Sequence, residues 1–305
     1  MIGAIDIGGT KIAAGMVDEN GRIVRCMECP TDARAGFGKA IAKMASMLRQ
    51  TAKEAGSEIT GIGIGSTGPV DPETGIFGIV EFLPGWEGEN LLAALGKEFD
   101  VPIALENDAD AAALGEAFWG AGRGKRHVVY VTISTGIGAG IILDGKLYRG
   151  ADGSHPELGH HVVDADGLMC TCGARGCWEI LASGTSLARW YNAQSSAEPV
   201  TAKRIFELAA EGNELAMKTV EREAYYIGVG VANLATIFIP EMIILGGSVM
   251  NSAAMLMDGI RKIVRQNCAF VPQERMELRL ASLGPYTPLI GAARVWYHRF
   301  GQGEE

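Results

Sequence analysis

Apolar strands and glycine-containing turns alternate in two stretches of the chain, and both stretches follow one plan. Each stretch consists of an apolar strand, a glycine turn, a second apolar strand, a short polar turn and a third strand. The strands of the first copy are predicted over 2–7, 12–17 and 22–25, and those of the second over 128–133, 139–143 and 146–149. A unit that occurs twice, about one domain apart, indicates internal duplication.

Apolar residues recur at helical spacing in several other stretches. In 37–55, Ile41, Met44 and Leu48 lie three or four positions apart, as in a helix with one buried face. Further helices are predicted over 91–99, 109–119, 186–192, 201–211, 214–235, 253–267 and 289–300, and further strands over 59–64, 102–105, 242–245 and 276–281. The fold class is therefore α/β.

The length of 305 residues exceeds what one hydrophobic core usually fills, so two domains are expected. We place the boundary at the start of the helix that follows Glu106-Asn107-Asp108. This choice gives a first domain over 1–108 and a second over 109–288. Hydrophobic residues make up 48% of the chain and charged residues 21%, which is typical of a globular protein.

The net charge of −9 argues against nucleic acid as a partner, because a phosphate backbone is bound through clustered Lys and Arg. No apolar run has the length that a bilayer requires. Met1 leads directly into the first strand without a basic leader, so nothing marks the chain for export. We expect a cytoplasmic protein that acts on small molecules.

Residues 154–179 hold three of the six cysteines and three of the five histidines. A structural zinc ion needs about four nitrogen or sulfur ligands, and His160, Cys170, Cys172 and Cys177 supply four. The alternative is a set of unrelated buried cysteines, which pack as small hydrophobic residues. Their close spacing favours zinc.

Two carboxylates, Glu157 and Glu179, bracket these four residues. A zinc ion would hold the intervening loop so that both carboxylates point into a cleft.

One glycine turn follows the first strand of each copy, and both turns carry hydroxyl side chains. The turns are Asp6-x-Gly8-Gly9-Thr10-Lys11 and Ser134-Thr135-Gly136-x-Gly138. Their amide groups can face phosphate oxygens. Either turn alone is equally well explained as a plain hairpin connection. Because the same arrangement occurs twice, we favour phosphate binding.

Two other nucleotide motifs are excluded. The chain has no Gly-x-x-x-x-Gly-Lys-[Ser/Thr], so it is not a P-loop enzyme. Gly63, Gly65 and Gly68 have the spacing of the dinucleotide fingerprint, but that motif needs a helix straight after its glycines. Pro69 and Pro72 oppose a helix there, so we reject a Rossmann site.

Asp108 stands at the start of a predicted helix, where the helix dipole favours a negative charge. A carboxylate there can act as a general base or as a helix cap. The residues themselves leave both roles open.

Glu157-x-Gly159-His160, followed by the cysteine cluster and Glu179, resembles the sugar-and-zinc signature of the ROK family of bacterial sugar kinases and related repressors. The segment Glu106-Asn107-Asp108-Ala109, the two glycine turns and Gly246-Gly247 are similar to further motifs of that family. The resemblance covers essentially the whole chain.

The resemblance implies two actin/hexokinase-like (ribonuclease H-like) ATPase domains flanking a cleft, with a terminal helix over 289–305 that packs back on the first domain. It also implies an ATP- and Mg²⁺-dependent sugar kinase with a structural Zn²⁺, forming a homodimer. Asp108 would be the catalytic base. The residues implied to bind the sugar are Gly65, Asn107, Asp108, Glu157, His160 and Glu179. Those implied to bind ATP are Asp6, Gly8, Gly9, Thr10, Lys11, Ser134, Thr135, Gly136, Gly138, Gly246 and Gly247.

Glucose, phosphorylated on its 6-hydroxyl, is the expected substrate, because the cysteine signature with Glu157 and Glu179 most resembles the glucokinase branch. The alternatives in the family are N-acetylmannosamine or N-acetylglucosamine kinase and fructokinase, the last because His155-Pro156-Glu157 is similar to that branch. Ser66-Thr67 and Thr287-Pro288 depart from the family's usual residues. The alternative from another class is a non-catalytic sugar-binding sensor. We do not expect a repressor, because no helix-turn-helix precedes residue 1.

Overall fold

A computed structural model describes residues 1–301, apart from the side chains of residues 152 and 273. The chain divides into two compact units. Unit 1 comprises Met1–Gly124, Lys146–His155 and the chain from Ala281 onwards, and unit 2 comprises Lys125–Gly145 and Pro156–Leu280. Residues 302–305, which the prediction included in the terminal helix, lie outside the described residues.

The first sequence copy begins the sheet of unit 1. Its strands are β1 (Ile2–Ile7), β2 (Lys11–Val17), β3 (Ile23–Pro30), β4 (Gly61–Ser66) and β5 (Ile103–Asn107). They lie in the order β3-β2-β1-β4-β5, in which β1, β4 and β5 run parallel and β2 is antiparallel to both of its neighbours. The carboxyl ends of β1, β4 and β5 therefore meet at one edge of the sheet.

Four α-helices complete the described part of unit 1. They are α1 (Phe37–Ala55), α2 (Leu91–Gly96), α3 (Asp108–Phe118) and α9 (Thr287–Phe300). Alternate residues of β1 point to opposite faces of the sheet. Ile5 packs in a core with Met44 and Leu48 of α1, whereas Ala4 packs in a second core with Leu289 of α9.

Glycines in β4 let α9 lie directly on the sheet. A Cβ atom at Gly63 would lie 1.9 Å from the carbonyl oxygen of Ala292, and one at Gly61 would lie 2.1 Å from the indole nitrogen of Trp296. A side chain at either position would therefore push the terminal helix away from the sheet.

The second sequence copy begins the sheet of unit 2, with β6 (Val128–Ile133) antiparallel to β7 (Ile137–Leu143). On the other side of β6 lie β9 (Met242–Gly246) and then β10 (Glu277–Leu280), both parallel to it. The short strand β8 (Lys146–Leu147) follows β7 in the chain.

The helices of unit 2 are α4 (Trp178–Ala182), α5 (Gly184–Asn192), α6 (Ala202–Ala210), α7 (Glu214–Phe238) and α8 (Ala253–Asn267). Apolar residues of β6 and β9 form one core with these helices, to which α7 contributes Val220, Ile227 and Val231.

The contacts divide the chain at a different position from the boundary predicted at residue 108. Helix α3 lies in unit 1, because it packs against α9 of the same unit. The buried carboxylate of Glu116 on α3 strengthens this attachment, since it accepts hydrogen bonds of 2.9 Å from the amides of Ser282 and Leu283, just before α9.

Candidate active site

The first glycine turn joins β1 to β2. One hydrogen bond within the turn and one from Thr31, which follows β3, hold it in place. The Gly8 amide donates to the carbonyl of Lys11 at 2.9 Å, and the Thr31 hydroxyl donates to the carbonyl of Gly8 at 2.6 Å. The Lys11 ammonium lies 2.7 Å from Glu28 in an exposed ion pair. Gly9 lies under Phe82, so a Cβ atom there would come within 2.5 Å of that side chain.

Asp6 precedes this turn at the end of β1. Burial and the nearby charge of Asp108 raise the pKa of Asp6 to about 7. Asp6 pairs with Gly65 of β4, next to which Asp108 lies, so the two carboxylates are close together and a cation there would stabilise both in the ionised form.

Asn107 and Asp108 form the junction at which β5 ends and α3 begins. The side chains of both residues accept a hydrogen bond from the Ala109 amide, at 2.9 and 2.8 Å. Asn107 is thus the helix cap, and Asp108 is the first helical residue. Gly65 of β4 lies alongside, and a Cβ atom on it would be 3.7 Å from the Cα atom of Asp108.

Burial raises the pKa of Asp108, and the charge of Asp110 adds to this shift. The hydrogen bond from Ala109 and the charge of His155 lower the pKa and so oppose it. The net effect is a raised pKa, which makes Asp108 a stronger proton acceptor than an exposed Asp and suits it to act as a general base.

A cluster of charged side chains surrounds this junction. Arg149 contacts Glu106 and lies 2.9 Å from Asp110, and His155 Nδ1 lies 2.7 Å from the same Asp110 oxygen. Asp110 is fully buried. Burial lowers the pKa of Arg149 to about 10, so the guanidinium remains charged at neutral pH. No sequence pattern pointed to Arg149, because no local spacing relates residue 149 to residues 106–110.

The second glycine turn joins β6 to β7 in unit 2, and three segments of that unit hold it. Ser134 Oγ accepts from the Ser248 amide at 2.9 Å, and the Ser134 carbonyl accepts from the Gly184 amide at 2.7 Å. The carboxylate of Glu179 accepts from the Ile137 amide at 2.8 Å. The turn Gly246-Gly247, which ends β9, thus lies beside the turn over 134–138.

His160, Cys170, Cys172 and Cys177 come together in unit 2, with ligand atoms that all lie within 4.8 Å of one another. Cys170 Sγ is 3.5 Å from His160 Nδ1, and Cys172 Sγ is 3.5 Å from Cys177 Sγ. All three cysteines are free of disulfides. Three thiols and one imidazole at these distances match the donor set of a structural zinc site.

The segments that carry the four candidate metal ligands also contact the second glycine turn. Cys177 is the residue directly before α4, and Glu179 lies in the first turn of that helix. His160 ends a 3-10 turn that begins after the exposed Glu157. Gly159 of that turn packs so closely that a Cβ atom would lie 2.1 Å from the carbonyl of Ile137. The turn that carries His160 and the carboxylate of Glu179 therefore both contact Ile137, the first residue of β7.

Two similar α/β units, each opening with an antiparallel strand pair around a glycine turn, define the actin-like ATPase fold. A profile described as the ROK family matches residues 2–299. The chain belongs to the ROK family, as the sequence motifs indicated. Within the described residues, no helix is long and apolar enough to cross a membrane.

Relatives with assigned functions cover nearly the whole chain. A glucokinase of Thermotoga maritima is 36% identical over 97% of this chain and 97% of its own. The crystal structure of a ROK hexokinase from Thermus thermophilus has a TM-score of 0.85 and 34% identity, and covers 99% of both chains. A ROK glucokinase from Streptomyces griseus in complex with glucose and AMPPNP has a TM-score of 0.82 and 34% identity, covering 96% of this chain and 97% of that one.

Proposed function

We propose that the protein is an ATP-dependent hexose kinase that phosphorylates the 6-hydroxyl of glucose. The observation that carries this proposal is the Asn107-Asp108 pair at the carboxyl end of β5, next to Asp6 and the first glycine turn. Similarity to glucokinases along the whole chain supports glucose over the acetamido sugars and fructose.

Asp108 acts as the general base in this proposal and takes the proton from the attacking hydroxyl. Asn107 and Gly65 adjoin the base, and Glu157, His160 and Glu179 form hydrogen bonds with the remaining hydroxyls, in which the two carboxylates are acceptors. A sugar offers a donor at each hydroxylated carbon, so a set of acceptors from several segments suits it.

ATP is bound through the two glycine turns and Gly246-Gly247, whose amides face phosphate oxygens or line the nucleoside. Asp6 is the residue that would hold Mg²⁺, since Mg²⁺ binds through one or two carboxylates together with the substrate's phosphates. When bound, Mg²⁺ neutralises charge that develops on the phosphates during transfer. Its presence would also lower the pKa of Asp6 from about 7.

The cluster of His160 and three cysteines is proposed to hold one structural zinc ion. Four protein ligands leave no open position, so the ion would shape the loop that carries Glu157 and Glu179 and would not act on the substrate. A homodimer and a cytoplasmic location are proposed from the family, and light scattering of the purified protein tests the first of these.

Release of ADP from ATP and Mg²⁺ in the presence of single sugars tests the proposed reaction. We expect the largest kcat/KM with glucose, compared with mannose, N-acetylglucosamine, N-acetylmannosamine and fructose. Asp108→Asn should lower kcat by about 10²–10⁴ while leaving sugar binding measurable. A protein that binds glucose but turns over none of these sugars would instead be a sensor.

A further inference from the structure

Asp108 takes its direction from the angle at which one strand meets one helix. The chain turns from β5 into α3 at Asn107, whose backbone angles are φ −58° and ψ 148°. No loop separates the two elements, because β5 ends at Asn107 and α3 begins at Asp108. A small change in the angle between β5 and α3 would therefore move the Asp108 carboxylate.

Arg149 spans this junction. Its guanidinium contacts Glu106, which lies on β5 two residues before Asp108. Its Nη1 atom lies 2.9 Å from the carboxylate of Asp110, which lies on α3 two residues after Asp108. One rigid, planar group thus binds the strand on one side of the candidate base and the helix on the other, and the fork of a guanidinium suits such a double contact.

Burying these three charged side chains costs free energy, because they lose their hydration. Asp110 has no exposed side-chain surface, and the side chains of Arg149 and Glu106 are 17% and 13% exposed. A buried ion pair contributes little net stability compared with apolar residues of the same size, because both charges lose their hydration. Fixing one geometry is therefore the better account of the cluster.

A second basic group reinforces this contact from the same segment of chain. His155 Nδ1 lies 2.7 Å from the Asp110 oxygen that also binds Arg149. Asp110 is thus held by two residues of Lys146–His155, the segment of unit 1 that follows β7 in the chain.

We propose that Arg149 is a positioning residue for the phosphoryl-transfer step, which sets the direction of Asp108 by joining Glu106 to Asp110. This role rests on the proposed function of Asp108. Arg149 acts through the β5–α3 junction and is assigned no contact with sugar or ATP.

Steady-state kinetics of Arg149→Ala and Arg149→Lys test this role. Loss of the double contact should lower kcat by roughly 100-fold in Arg149→Ala, the order expected when a catalytic group shifts by about 1 Å. The KM for ATP should stay within about twofold, because the glycine turns are untouched. Arg149→Lys keeps the charge but not the fork, so its kcat should lie between those of the alanine variant and the unaltered protein.

Rescue by added guanidinium separates positioning from a general loss of structure. Guanidinium at millimolar concentration should raise the kcat of Arg149→Ala and leave that of Asp108→Asn unchanged. Arg49→Met is the matched control, because Arg49 makes an exposed ion pair with Glu98 in the same unit, at 2.8 Å. Its kcat should equal that of the unaltered protein.

Three results would overturn the inference. The first is an unchanged kcat in a folded Arg149→Ala protein. The second is a rise in the KM of that variant for ATP that equals its fall in kcat. The third applies if Arg149→Ala does not fold, and is an unchanged kcat in Arg149→Lys. If Asp108→Asn itself retains full activity, the proposed function fails. If Asp108→Asn is inactive and the Arg149 variants are fully active, only the positioning role fails.

Discussion

The roles of single residues were hardest to predict from the sequence where a charged side chain is buried. Asp108 was open to interpretation as a cap or a base, and the structure gives the capping position to Asn107. This result leaves the Asp108 carboxylate free for another use, although both side chains share the Ala109 amide. Burial is invisible in the sequence, so its effect on the pKa of Asp108 could not be predicted.

The pH dependence of activity should reflect this burial. A base acts in its ionised form, so kcat/KM for glucose should fall as the pH drops through the pKa of Asp108. Because that pKa is raised, the acid limb should lie above the ordinary Asp value of 3.8. Saturating ATP and Mg²⁺ should be used, so that Asp6 is ionised beside the cation. An acid limb at or below 3.8 would contradict the assignment of Asp108 as the base.

Glu223 on α7 is a second buried carboxyl group. Its side chain is fully buried, and neither oxygen meets a hydrogen-bond donor among the described residues. Burial raises its pKa well above the ordinary value of 4.5, and the charge of Arg222 opposes this only in part. The folded state therefore favours the protonated form.

Glu223→Gln should stabilise the protein at neutral pH by about 1–3 kcal/mol, because glutamine resembles the protonated carboxyl group but does not have to bind a proton above the ordinary pKa of Glu. The raised pKa means that the contribution of Glu223 to stability is complete below about pH 4.5 and is lost as the pH rises through its folded-state pKa. The gain should therefore vanish in acid. Chemical denaturation at several pH values measures it, with the exposed Glu221→Gln as control. A variant less stable than the parent at neutral pH would refute this interpretation.

At the scale of elements, helical periodicity predicted both ends of some helices correctly and failed to detect one short helix. The predicted ends of α1 and α8 agree with the structure, because both helices have long amphipathic patterns. Helix α4 was missed, because Trp178–Ala182 is too short to show a period. Its position depends on Cys177, a metal-ligand candidate, and on packing of Trp178 against α7, which only the folded chain shows.

The contact between Glu179 and the second glycine turn can be tested by substituting Gly136. A Cβ atom at Gly136 would lie 2.3 Å from the Glu179 carboxylate, so Gly136→Ala should displace Glu179 from the Ile137 amide. Loss of such a charge-assisted hydrogen bond costs about 1.5–3 kcal/mol. We expect kcat/KM to fall roughly tenfold to a hundredfold, with KM raised for both ATP and glucose.

Gly38→Ala is the matched control, because a Cβ atom there meets nothing within 4 Å. Its kinetics should be unchanged. Gly136→Ala with normal KM values for both substrates would show that Glu179 does not join the turn to the sugar-binding residues.

At the scale of the whole molecule, the fold and family were predicted from motifs, and both are confirmed. The duplication was visible because each glycine turn follows an apolar strand. The place at which the chain divides into units could not be predicted, because it depends on α3 packing against α9, far away in sequence. The contacts of Arg149 with Glu106 and Asp110 were hidden for the same reason.

The conformation of the loop over 157–179 in unit 2 should depend on bound zinc. We expect one zinc ion per chain by metal analysis, and loss of that ion in Cys172→Ser. The KM for glucose should rise in this variant, although Cys172 is assigned no contact with the sugar, because the loop bearing Glu157 and Glu179 loosens. Cys26→Ser, in the other unit, should keep its zinc. A zinc-free protein that binds glucose normally would rule out the site.

The terminal helix has a consequence for the order in which the protein can be completed. β1 and β4 are synthesised before unit 2, whereas α9, which packs on both strands, is synthesised after it. Throughout synthesis of the intervening unit, Ile2, Ala4 and the flat glycine surface of β4 lack their cover. Unit 1 therefore cannot complete its second core before α9 has been synthesised, and this face of its sheet is not covered by the helix until then.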